Sequence, residues 1–237
     1  MTNNEEILSI PLNEAQYEWI ELPSKGECYS HKKGRIPVAY MMATDENIVT
    51  SEKLKNERKV CETLLNTKIL DKSFKANELC IGDWDTILLW LRKTSYGNEY
   101  KVFDENYNEQ IIDLNSLTYN IPDIKADENG LYQYIIDGNV IKYRLLTHKD
   151  DDMFFNELIE RLKSDDMNED ELNNIIKQIM ILQTESINNI SDKNYIFKFV
   201  NDLSLSKLLS YFNFTTKNTP RVNIDIRIGD TFFDDIK

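Results

Sequence analysis

The chain has 237 residues, enough for one large domain or two small ones, and a chain of this size hides roughly 70–75% of its unfolded surface without needing cross-links. Its 41 acidic residues outweigh 28 basic ones, for a net charge of −13. That balance argues against a nucleic-acid binder, which needs a basic face to displace phosphate counterions. Cys28, Cys61 and Cys80 are too few and too scattered for a disulfide framework, so a reducing compartment is expected.

Residues 1–21 read as a polar N-terminal segment with Ile7, Leu8, Ile10 and Leu12 as anchors. The acidic start lacks a signal-peptide core, and no apolar run in the chain approaches the ~20 residues of a membrane span. Residues 22–97 read as a helical N-terminal region. It opens on the turn-rich Leu22-Pro-Ser-Lys-Gly26 and passes through a short strand at 36–41, where Pro37 marks an edge or a start. A helix from Thr44 towards Leu54 and a second over 59–70, burying Val60, Leu64 and Leu65, come next.

The region ends in a central helix over 84–96. Trp84, Ile87, Leu88 and Leu91 recur at i, i+3, i+4 and i+7, and Leu89 with Trp90 make a second face apolar, so the helix is expected to be buried on more than one side. Gly82 is read as the break before it, Asp83 as its N-cap and Gly97 as its closing glycine. Taken singly, its residues read as core.

Residues 98–148 change register and read as a small antiparallel β region. Strands at 100–103 and 110–114 are followed by an irregular linker over 115–130. Two more strands then flank Asp137-Gly138, the dipeptide of a tight hairpin. Residues 149–237 read as a helical C-terminal region ending in a strand. Asp150-Asp-Asp152 caps a helix carrying Phe154, Phe155, Leu158, Ile159 and Leu162. Asn168 with Glu171 opens another, with Leu172, Ile175, Ile176, Ile179 and Leu182 on its face. Ser191 and Ser204 are expected to cap two more. The fold class expected is α+β: a mainly helical body, one small antiparallel sheet inserted mid-chain, and a C-terminal strand.

Searches for chemistry return little. No phosphate loop or dinucleotide fingerprint is present, and two histidines, His31 and His148, cannot form a zinc-protease helix. Cys28-x-x-His31 has ligand-like spacing, but no second pair lies nearby in sequence to complete a four-ligand site, and no third group orients a Cys/His nucleophile. Asp104-x-Asn106-x-Asn108 imitates a calcium loop and fails it at Glu109 and Asn115. The expectation is no catalytic residue, no metal and no cofactor.

Several pieces together resemble the baseplate hub proteins of T-even-type contractile-tailed phages. They are Leu22-Pro-Ser-Lys-Gly26, Tyr29, Thr44-Asp-Glu46 with Val49-Thr-Ser51, Gly82-Asp-Trp84, Leu91-Arg92, Ser95-Tyr-Gly97 with Tyr100, Asp113-Leu114, Tyr143-Arg-Leu-Leu-Thr147 and Ile228-Gly-Asp-Thr-Phe-Phe233. Their order and spacing fit the family along nearly the whole chain. The resemblance implies a phage tail component made in the host cytoplasm and placed in the tail baseplate. It would act without catalysis, through contacts with other baseplate or tail proteins, as a hub subunit or a hub assembly factor. Family members often carry cysteine pairs of a metal-bound ribbon in the sheet region and near the C-terminus; residues 100–117 and 215–233 here contain no cysteine. Two rivals stand beside this reading: a cytoplasmic chaperone absent from the finished virion, and a small cell-wall hydrolase, which needs two carboxylates facing each other across roughly 5–10 Å.

The C-terminal strand is the candidate partner surface. Val222, Ile224, Ile226 and Ile228 alternate with Arg221, Asn223, Asp225 and Arg227, and Phe232 and Phe233 follow. Two dispositions are open. In one, the strand is an edge that docks a neighbouring subunit by strand addition, together with both phenylalanines. In the other, it closes the protein's own sheet with both rings inside.

Overall fold

The computed structural model describes residues 16–103, 109–150 and 169–223. Strands β1 (Tyr17–Glu21) and β2 (Arg35–Ala39) pair antiparallel, with Ile20 opposite Ile36 and Trp19 opposite Pro37. β1 lies inside the segment expected to be a polar tail. Tyr17, Trp19 and Ile20 are strand formers, but Ile20 is the one buried residue of the five and Glu18 and Glu21 leave the stretch without a clean apolar face.

The helix expected from Thr44 towards Leu54 is broken into a 3-10 turn (Ala43–Asp45), α1 (Glu46–Val49) and α2 (Glu52–Asn56). Ser51 causes the break: its Oγ accepts the Leu54 amide (3.3 Å) and starts a new helix. Asp45 accepts the Met42 amide (2.6 Å) and pairs with Lys68, the last residue of α3 (Val60–Lys68). Val60, Leu64 and Leu65 of α3 are fully buried, as their spacing predicts.

Helix α4 (Ile81–Tyr96) is the central element, and Trp84, Ile87, Leu88, Leu89 and Leu91 are all buried. Its start differs from the expectation. Cys80 occupies the N-cap, Gly82 sits within the first turn, and Asp83 points away from its own helix's amides. Gly82 is there because the chain passes against it: a Cβ would lie 2.1 Å from the Pro220 carbonyl oxygen. In an open helix, alanine would improve on glycine by roughly 1 kcal/mol. Here Gly82→Ala is expected to cost about 1–3 kcal/mol, because backbone must shift to admit the methyl. A lowered urea midpoint checks this; a raised one would mean the strand yields freely. At the other end Gly97 has φ +87°, a value that favours glycine.

Strands β3 (Glu99–Phe103) and β4 (Glu109–Asp113) form the first expected pair. β5 (Thr118–Asn120) falls in the stretch read as an irregular linker. β6 (Tyr132–Ile136) and β7 (Asn139–Tyr143) flank Asp137 and Gly138, both at positive φ, as a tight hairpin turn requires. After α5 (Glu169–Gln183) comes β8 (Thr184–Ile187), then α6 (Lys193–Asn201), α7 (Leu205–Lys217) and β9 (Arg221–Asn223).

β8 pairs with β7, and β9 pairs with β5. The single mid-chain sheet is therefore replaced by several small antiparallel units in a mixed α+β fold, and residues 98–148 take strand partners from well outside their own span. β8 follows α5 directly, so helical periodicity hides it. Asp192, not Ser191, caps α6 through the Tyr195 amide (2.8 Å), while Ser204 does hold the cap position of α7. The Asp150 carboxylate takes Arg144 (2.6 and 2.8 Å) and the Thr147 amide (2.8 Å), and the helix that Asp150-Asp-Asp152 is expected to cap lies outside the described residues. The helix expected over Phe154–Leu162 and the cap at Asn168 lie outside the described residues, as does Asp104-x-Asn106-x-Asn108.

Two hydrophobic cores result. One gathers β1, β2, α3 and α4 with Leu114 and Val222; the other gathers β6, β7, β8, α5, α6 and α7. They meet at the start of α4. There the Ile81 amide donates to Leu146 O (3.2 Å), the His148 amide donates to Leu79 O (3.1 Å), and the His148 ring stacks on Trp84 at 3.6 Å.

Candidate functional site

The Leu22-Pro-Ser-Lys-Gly26 turn is built to present one residue to α4. Gly26 has φ +75°, and a Cβ there would meet Lys33 backbone at 2.4 Å, so the loop closes only around glycine. Closed, it delivers Ser24 to Asp83: the Ser24 amide donates to Oδ1 (3.0 Å) and Ser24 Oγ donates to Oδ2 (2.5 Å). Tyr29 Oη adds a third bond to Oδ2 (2.7 Å) and accepts the Cys80 amide (3.1 Å). Asp83 therefore ties a loop to a helix, where the sequence suggested a local cap.

The same place collects two sulfurs. Cys28, half-buried, follows the loop, and Cys80 is buried at the N-cap of α4. Their Sγ atoms and the Asp83 carboxylate all lie within 4.8 Å of one another. Burial pushes the Asp83 carboxyl above its usual value, against the hydrogen bonds from Ser24 and Tyr29; burial also raises the Cys80 thiol and the Tyr29 phenol. His31, the in-sequence neighbour of Cys28, is elsewhere engaged: Nδ1 accepts the Lys33 amide (3.2 Å), and its ring packs on Tyr29 and Phe74. Cys61 lies in the N-terminal core.

A second feature is a surface groove of about 300 Å³ between β1, α4 and β5, lined mainly by Ile20, Leu22, Pro23, Leu89, Trp90, Tyr119 and Ile121. Ile121 is 51% exposed and Tyr119 is 40% exposed. Elsewhere on β1, Trp19 is 51% exposed beneath the Arg35 guanidinium, 4.8 Å from its ring centre. The sequence does not announce this groove, because its walls come from β1, α4 and β5, which only the tertiary fold brings side by side.

Of the residues proposed for partner binding, Val222 is described, and it is buried in the protein's own N-terminal core with its strand paired to β5. Ile224, Ile226, Ile228, Phe232 and Phe233 lie outside the described residues. No described helix is long and apolar enough to cross a membrane. No family model, curated protein or solved structure matches the chain.

Proposed function

We propose that this protein is a baseplate hub component of a contractile phage tail, or a factor that assembles the hub, and that it works through protein–protein contacts. The observation that carries the reading is the spatial convergence of the pieces that carry the resemblance. Ser24, Tyr29 and Asp83 share one hydrogen-bonded network. Arg92 lies 5.3 Å from the Tyr96 ring and 5.8 Å from the Tyr100 ring. Thr147 bridges to Cys80 beside that network. Pieces distant in sequence keep their order and spacing when one fold requires them together, and that supports treating them as one family pattern. An acidic chain with an apolar groove suits contact with another subunit better than contact with nucleic acid.

In this reading the chain is made in the host cytoplasm and docks a neighbouring hub subunit through its C-terminal segment, with Phe232 and Phe233 as anchors. Mass spectrometry of purified virions tests it: presence at a fixed ratio to other baseplate proteins identifies a subunit. Abundance in infected lysate without presence in virions identifies an assembly factor. Absence from tails and from assembly intermediates alike would sink the proposal. For the anchors, Phe232→Ser with Phe233→Ser is expected to leave a folded chain that fails to enter tails; wild-type incorporation would show that these rings do not dock.

A further inference from the structure

We propose that Cys28, Cys80 and Asp83 form a binding site for a divalent cation of the zinc class, which ties the loop carrying Cys28 to the start of α4. Sequence alone argues against a metal here, because Cys28 lacks a nearby second pair and His31 faces elsewhere. Folding supplies what the spacing lacked: a second thiol from the N-cap of α4 and a carboxylate from its first turn.

The geometry is close to what such an ion needs. Tetrahedral zinc with bonds of about 2.3 Å to sulfur and 2.0–2.2 Å to oxygen places its ligand atoms roughly 3.5–3.8 Å apart. Three atoms already within 4.8 Å of one another reach that spacing by small side-chain rotations. Two thiolates with one carboxylate are a donor set for a borderline-soft ion, not for calcium or magnesium, which take oxygen alone. Water completes the fourth position.

Charge points the same way. Asp83 is fully buried, and its hydrogen-bond partners are neutral: the Ser24 amide and hydroxyl, the Tyr29 phenol and the Cys80 thiol. Among the described residues no lysine or arginine pairs with it. The other buried carboxylate among the described residues, Asp45, does have a cation, Lys68. A carboxylate buried without a positive partner is costly unless something neutralises it. A divalent ion does so while exploiting bonds that already orient the ligand, since Ser24 and Tyr29 hold Asp83 as outer partners hold metal ligands elsewhere. Entry is from the Cys28 side, the one member that is half-exposed. As the ion binds, each thiol gives its proton to water and each sulfur bonds the metal through a lone pair, so nothing is oxidised.

Co(II) titrated into the full-length chain under a non-thiol reductant tests the site. One equivalent is expected to produce a thiolate charge-transfer band and tetrahedral d–d bands, which Zn(II) then bleaches. Cys28→Ser should abolish the bands, whereas His31→Ala and Cys61→Ser should keep them. Circular dichroism checks that each variant folds. Should Cys28→Ser fail to fold, the wild-type chain still decides the matter, because Zn(II) must slow the reaction of Cys28 with a thiol reagent. Absence of a thiolate band would overturn the proposal, as would bands that survive Cys28→Ser or Zn(II) leaving the Cys28 reaction rate unchanged. Formation of a Cys28–Cys80 disulfide by a chain that gives no Co(II) band would overturn it in favour of a redox pair.

Discussion

Lys68→Met is expected to destabilise the protein by about 3–5 kcal/mol, the cost of stranding a buried charge whose partner has been removed. Lys68 and Asp45 are each only 5% exposed, and the ammonium meets the carboxylate directly at the end of α3. Methionine fills the space of the lysine stem but leaves Asp45 with no cation and only the Met42 amide as a donor. The effect should appear as a lowered urea midpoint with little change in slope. Adding Asp45→Asn to Lys68→Met removes the stranded charge while keeping an acceptor for Met42, so the double variant should be more stable than the single. If the single variant unfolds within 1 kcal/mol of wild type, the pair is not desolvated as its burial implies. If the double variant is no better than the single, the loss comes from packing and not from charge.

Leu88→Ala is expected to cost about 2–5 kcal/mol, from lost transfer free energy plus the cavity left behind. Leu88 is fully buried in the middle of α4, among Ile87, Leu89 and Leu91 and the residues of β2 and α3. The upper half of that range applies if the neighbours cannot close in. α4 carries apolar residues on more than one face, so a collapse on one side opens space on another. An unchanged denaturation midpoint would show that α4 is peripheral, and the two-core architecture would fall with it.

What could be read in advance follows from where each signal is stored. The tight hairpin of β6 and β7 rests on Asp137-Gly138, a turn whose positive φ values are a property of those two residues. The burial of α4 rests on Leu88 and its neighbours, whose spacing is a property of one helix. The groove beside α4 was not legible, since it needs β1 and β5 in place first. The candidate site was legible only as fragments. In sequence Cys28 and Asp83 each carry a local reading: half of a ligand pair with His31, and a cap for its own helix.

Sequence by itself determined the acidic net charge, which is a sum over composition, and the central helix and the hairpin, each encoded in residues adjacent along the chain or one turn apart. Tertiary structure alone decided the pairing of β5 with β9 and of β7 with β8, the partner of Asp45, and the direction of the Asp83 carboxylate. Strands of three or four residues have too little alternation to be distinguished from loop or from the end of a helix, and they are strands only because a distant strand satisfies their backbone. A carboxylate in the first turn of a helix has two sets of donors within reach, its own amides and those of another segment. The loop closed by Gly26 settles that choice by bringing Ser24 to Asp83, and in doing so brings Cys28 to Cys80.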